Sequence, residues 1–396
     1  MIKSIRLTNF YSFKDTTIEF DKNINVLIGI NGSGKSNLFK AFDLLFEGVA
    51  GNGLQKLVIE KWGGIDEILF KGGKENVVKL KFVFDGKLLK KYGFGYENDV
   101  IYEIELCRVS GLNNFQVNES IYDGKFTFNV YGGNPNIFDF NKNSGINTHR
   151  PVSFENHTFN PRELALSKVF FIKDYGLLES LRRAIADIVV YRFFNTNQDS
   201  QIRKAMKATA GKRLLPDGSN LPQILNTIKI SHKREYQNIV ERLNDVNENF
   251  RGFDFHFLGS GNFELMLDES GLDSAIHVTN ISDGTLRYLC LLSILYNPER
   301  GRFICIDEPE VGLHPDMSLN ITKAIKESSM ESTMLITTHS ENILDAFEVE
   351  HVRVFEKKPD NSSIVNSFET KDFEKWYDEY NLGKMWRQGD IGGNRW

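Results

Sequence analysis

The residues whose spacing carries the most chemistry are Gly29-Ile30-Asn31-Gly32-Ser33-Gly34-Lys35-Ser36, which fit the pattern G-x-x-x-x-G-K-[ST]. Glycines in such a run let the backbone wrap a chain of phosphates. The helix that follows offers unpaired amides and its positive end to the anion. Lys35 would reach the β- and γ-phosphates of a nucleotide, and Ser36 would ligate magnesium. Asn31, Gly32, Ser33, Gly34 and Asn37 complete the stretch expected to touch the nucleotide. The ligands expected are therefore ATP and Mg2+.

A phosphate loop needs an acid elsewhere in the chain to complete its chemistry. Phe303-Ile304-Cys305-Ile306 is a wholly apolar run that ends in Asp307-Glu308. It reads as a buried parallel strand, whose carboxyl end is where ligands bind in α/β sheets. Asp307 would hold the metal through water, and Glu308 would orient and deprotonate the attacking water. A second apolar run, Met334-Leu335-Ile336-Thr337-Thr338, exits at His339. That imidazole could donate a hydrogen bond to the γ-phosphate and orient Glu308.

These groups require elements to hold them. Asn25-Val26-Leu27-Ile28 is a buried-type strand running into the loop, and a packed helix is expected from Ser36 onward. Alternation over 77–131, broken by Gly and Asn, predicts an antiparallel region, and the Asn- and Gly-rich stretch 134–160 reads as loop. Helical periodicity covers 177–194 and 221–246, and strands return near Phe253. The units expected are 1–175, an N-terminal part with the phosphate loop; 176–250, a helical insertion; and 251–396, a C-terminal part.

Composition sets bounds. The chain has 396 residues, 41% hydrophobic and 26% charged, with a formal net charge of −5. That balance argues against a protein coated all over with nucleic acid, while allowing a local basic patch. Cys107, Cys290 and Cys305 lie too far apart for a metal site. Their odd number and the lack of a secretory leader point to a reducing cytoplasm. No apolar run is long enough for a bilayer, so no membrane partner is expected.

The stretch Ile281-Ser282-Asp283-Gly284-Thr285, taken alone, suits an ordinary turn and helix cap. In its place between Lys35 and Asp307-Glu308 it resembles the signature motif of ABC-type ATPases of the RecF/SMC-like branch. The resemblance implies that Ser282 and the backbone of Gly284 bind the γ-phosphate of ATP held by a second subunit, giving a homodimer or higher homo-oligomer closed around ATP. Leu7-Thr8-Asn9-Phe10-Tyr11-Ser12-Phe13 is similar to that family's first strand and turn. Glu310-Val311-Gly312-Leu313-His314-Pro315, Asp217-Gly218-Ser219-Asn220-Leu221 and Leu382-Gly383-Lys384-Met385-Trp386 resemble OLD-type and related ATPases of bacterial defence systems. The fold class implied is α/β: an ABC-type P-loop ATPase head of mixed β-sheets and helices with a short helical insertion. The chain departs from the SMC pattern in lacking a long coiled coil. It departs from the OLD pattern because fewer than sixty residues follow His339, too few for a nuclease domain. The family's glutamine loop could be supplied by Gln55, Gln116 or Gln198.

Two functions compete. One is a nucleotide-dependent switch controlling a separate effector protein, a nuclease or toxin, in antiviral defence. The other is a RecF-like ATPase of DNA repair or recombination, with Arg203, Lys204, Lys207, Lys212 and Arg213 contacting DNA phosphates. The same basic cluster also suits a solvated face. A phosphoryl-transfer enzyme is disfavoured, since it needs neither the signature turn nor His339. The C-terminal Trp386-Arg387-Gln388-Gly389-Asp390-Ile391-Gly392-Gly393 reads first as a packed or frayed end and second as a docking peptide.

Overall fold

A computed structural model describes residues 1–110, 114–139, 148–150, 159–171, 176–369, 371 and 381–393. Its centre is a six-stranded sheet in the order Ile188–Tyr191, Phe303–Ile306, Thr333–Thr337, Ile24–Gly29, Val352–Lys357, Ser363–Ser367. Every neighbouring pair is parallel except the last. Strands of this kind are covered on both faces and read as continuous apolar runs. Accordingly Ile24–Gly29, Phe303–Ile306 and Thr333–Thr337 are buried at every position.

The alternating N-terminal segments form an eight-stranded antiparallel sheet. In Val77–Phe84 the side chains of Val78, Leu80, Phe82 and Phe84 point inward, while Lys79 and Lys81 pair outward with Glu105 and Glu103. The helix Lys35–Val49 lies in the core between this sheet and the central one. Its Phe42 ring sits 6.3 Å from Phe82 and 4.9 Å from Phe303. The other face of the central sheet is covered by a second core that includes the helices Leu221–Ser231, Lys233–Val246, Asp283–Leu295 and Pro315–Ser329.

Two segments differ from expectation. The stretch 177–194 is not one helix: the helix Gly176–Ile185 is followed by the strand Ile188–Tyr191 at the edge of the central sheet. A short apolar run satisfies either period, and the β-branched Ile188-Val189-Val190 decides for strand. Part of the expected insertion therefore belongs to the head, and the pair Met206–Lys207 joins a smaller antiparallel sheet with Asn262–Glu269. The stretch expected as loop from 134 contains the strands Asn134–Asp139 and Thr148–Arg150, paired to each other at the end of the eight-stranded sheet.

Candidate active site

The phosphate loop leaves the central sheet at Gly29, whose φ of 140° and close approach to the Phe355 carbonyl exclude a side chain; an added Cβ would lie 2.3 Å from that oxygen. Gly34, at φ 116°, caps the helix Lys35–Val49, and a Cβ there would meet the Ser363 hydroxyl at 2.6 Å. Ser363 donates to the Ser33 carbonyl at 2.5 Å, and Asn37 Nδ2 donates to Ser12 Oγ at 2.9 Å. Asn37, expected beside the nucleotide, thus spends its amide nitrogen on fixing the loop to the N-terminal turn. Asn31, Gly32 and Ser36 are exposed. Lys35 Nζ donates to the Gly29 carbonyl at 2.6 Å and to that of Ile30 at 3.2 Å. Burial pushes its pKa down to about 8, against the opposing pull of Glu308 and Asp307.

The parallel topology brings the exits of neighbouring strands to one edge. Thr333–Thr337 lies between the phosphate-loop strand and the acidic strand, and Thr337 uses this position twice. Its hydroxyl donates to Asp307 Oδ1 at 2.5 Å and accepts from the Glu308 amide at 2.9 Å. Glu308 sits at φ +46°, a left-handed conformation costing a non-glycine residue about 1–2 kcal/mol. Its Oε1 lies 3.5 Å from His339 Nε2. Burial raises the Glu308 pKa, the nearby Asp307 and Glu310 raise it further, and Lys35 opposes them. A carboxylate raised in this way is a better proton acceptor near neutral pH.

Glu310 and Trp386, which lie in the two OLD-like segments, support His339. Glu310 Oε1 accepts from the Thr338 hydroxyl at 2.7 Å and from the His339 amide at 2.9 Å, so it sets the imidazole's backbone. Trp386, 2% exposed, brings its ring to 6.4 Å from that of His339, and its indole donates to the Gly393 carbonyl. The C-terminal segment is packed here: the Gly393 amide donates to Glu356 Oε1 at 3.0 Å. Hydroxyls and an acid at strand exits were the available signal for Thr337 and Glu310. Nothing in the sequence placed Trp386 near His339.

Ser282 caps the helix Asp283–Leu295 by accepting from the Thr285 amide at 3.0 Å. Gly284 is packed so closely on the acidic loop that an added Cβ would lie 3.0 Å from the Gly312 carbonyl. Ser282 and Asp283 are exposed, and among the described residues no hydrogen bond joins this turn to the phosphate loop. The structure gathers Lys35, Asp307, Glu308 and His339, and the signature turn packs through Gly284 on the loop that follows Glu308. Of the three glutamines, Gln198 follows the strand beside the acidic strand. Gln116 lies in the antiparallel sheet, and Gln55 precedes the helical turn Lys56–Lys61.

Two arginines of the expected basic cluster are spent inside the fold. Arg203 is 3% exposed and spends its guanidinium on backbone carbonyls and Asp283, so it cannot meet DNA. Arg213 is held by the Glu299 carbonyl and Asp187. Lys204, Lys207 and Lys212 remain exposed. Composition reveals charge but not burial, and Arg203 reads like a surface residue until its partners are folded around it.

Residues 1–174 match a family described as "AAA ATPase domain", and residues 129–345 match one described as "AAA domain, putative AbiEii toxin, Type IV TA system". The second match takes in more than half of the chain. The chain belongs to that family. This AAA-domain protein is an ATPase of the RecF/SMC/OLD-like branch. It is 41% identical over 86 residues to the DNA double-strand break repair Rad50 ATPase of Sulfolobus acidocaldarius, covering 22% of this chain and 9% of that protein. It is 48% identical over 40 residues to the DNA replication and repair protein RecF of Clostridium kluyveri, covering 10% and 11%. With structural maintenance of chromosomes protein 2 of Homo sapiens it shares 24% identity over 265 residues, covering 64% and 20%. The chain thus spans between 9% and 20% of the length of these relatives. The SmcHead bound to the C-winged helix domain of ScpA superposes with a TM-score of 0.60 at 17% identity, covering 94% of this chain and 99% of that one. The AAA-domain protein therefore has an SMC-head fold. No helix among its described residues is long and apolar enough to cross a membrane.

Proposed function

We propose that this ATPase works as a dimeric switch that closes on two ATP molecules. Each nucleotide is held by Lys35 and Ser36 of one copy and by Ser282 and the Gly284 backbone of the other. The observation that carries this is the open end of the helix Asp283–Leu295: Ser282 is exposed and, among the described residues, makes no hydrogen bond to the phosphate loop of its own chain, while Lys35, Asp307, Glu308 and His339 share an edge. Glu308 takes a proton from the attacking water, and His339 holds the γ-phosphate side of that carboxylate. Lys35 leaves the Gly29 and Ile30 carbonyls for the phosphates. The donor set fits magnesium, a hard ion that keeps several waters. Ser36 has an exposed hydroxyl, Asp307 has only one oxygen engaged by Thr337, and no denser cluster of metal-ligating side chains occurs among the described residues. Magnesium, when bound, would supply positive charge to the phosphate oxygens.

Mixing two inactive variants tests the arrangement. Lys35→Ala removes one half-site. Ser282→Asp keeps a good helix cap but sets a negative charge against the phosphate. Each homodimer should be inactive. A mixed dimer has one intact site, so random exchange should restore about a quarter of wild-type turnover. No recovery on mixing would sink the shared-site reading.

What the switch drives is the finer part of the proposal: a separate effector, a nuclease or toxin, in antiviral defence. Support comes from the OLD-like segments 310–315 and 382–386 and from the family description. A second reading, direct DNA work in repair or recombination, draws support from the named roles of the Rad50 and RecF relatives and from exposed Lys204, Lys207 and Lys212. Salt-sensitive duplex binding that disappears on charge reversal of these three lysines would favour that second reading.

A further inference from the structure

We infer that Arg203 is a positioning residue for the half-site that serves the partner's ATP; this rests on the shared-site reading above. The residue comes from the short turn Gln201–Arg203, and its side chain is 1% exposed. Its donors are spread over two loops. Nε donates to the Thr196 carbonyl at 2.8 Å, in the loop that leaves the strand Ile188–Tyr191 and carries Gln198. Nη1 donates to the carbonyls of Val278 at 2.7 Å and Ile281 at 2.8 Å, with Thr279 at 3.3 Å. Nη2 reaches Asp283 Oδ1 at 2.6 Å. These acceptors bracket Ser282.

The consequence is geometric and electrostatic. Three carbonyls fixed by one planar fork determine where the chain enters the helix Asp283–Leu295. They therefore set where Ser282 Oγ and the first amides of that helix point. Asp283 is a carboxylate at the helix end that must receive a phosphate, where unpaired negative charge would repel it. Arg203 holds that carboxylate in an ion pair. The Thr196 contact fastens the turn to a segment anchored on the acidic strand, since the Asp307 amide donates to the Tyr191 carbonyl at 2.8 Å. A guanidinium placed only to fill the core would not need acceptors on both sides of Ser282.

Arg203→Ala should bind ATP through its own Lys35 with wild-type affinity and lose turnover by about 10²-fold, the cost of a misplaced contact group. Mixed with Lys35→Ala, it should regain about a quarter of wild-type turnover, as Ser282→Asp does. Arg203→Lys keeps the charge but lacks the fork, and should show the same pattern with a smaller loss; it also answers the question if the alanine variant fails to fold. Wild-type turnover in both variants would overturn the inference. So would loss of ATP binding in Arg203→Lys, or failure of both Arg203 variants to complement Lys35→Ala while Ser282→Asp succeeds. If Ser282→Asp fails too, the shared site itself is wrong, and the assignment of Arg203 falls with it.

Discussion

Replacing Glu308 with Gln leaves ATP bound and slows its hydrolysis by about 10²–10⁴-fold, the usual contribution of a positioned general base. The amide keeps the size and shape of the carboxylate and one acceptor oxygen, but it cannot accept the proton of the attacking water. Glu308 lies 3.5 Å from His339 and is raised above the ordinary carboxylate range by burial and by its neighbours Asp307 and Glu310. The base works ionised, so wild-type turnover should fall as pH drops through that raised value. With hydrolysis blocked and binding intact, the variant should accumulate as an ATP-bound dimer on size exclusion. Turnover near the wild-type rate would place the base elsewhere.

Lys35→Ala should weaken ATP binding by about 10²–10³-fold, since a charged hydrogen-bond partner of a buried phosphate is worth roughly 2–5 kcal/mol. The pH dependence gives an independent check. Burial lowers Lys35 to about 8 in the nucleotide-free protein, whereas bound phosphates favour its charged form. The bound state therefore holds its proton to higher pH than the free state. Binding takes up a proton near pH 8, and affinity falls as pH rises beyond it. Lys35→Arg, which stays charged throughout, should lose this slope. Titration of a fluorescent ATP analogue at pH 7 and pH 9 measures both effects; a flat wild-type profile would remove Lys35 from the phosphates.

How much of this was legible in the sequence varies by residue. The phosphate loop was legible because Gly29, Gly32 and Gly34 all take positive φ, a backbone demand that leaves its mark in composition. The acidic strand was legible because a doubly covered parallel strand must be apolar until it ends. Thr337 and Glu310 were not, since their roles depend on partners on neighbouring strands and loops. Arg203 was misplaced for the same reason: its acceptors lie in a turn far along the chain, which folding alone brings to it. The strand Ile188–Tyr191 was absorbed into a helical pattern because four apolar residues are too few to reveal a period.

The order of strands in the central sheet has a consequence for how the molecule is made. Ile24–Gly29 lies between Thr333–Thr337 and Val352–Lys357, so the strand waits for neighbours that leave the ribosome far later than it does. Until then both of its edges are open, a state prone to wrong pairing and in need of protection. Lys35 and Ser36 are made long before the edge that holds them against Asp307 and His339. A nascent chain should gain ATP affinity only once Thr333–Thr337 has been made, and nucleotide capture would then follow closure of the central sheet rather than guide it.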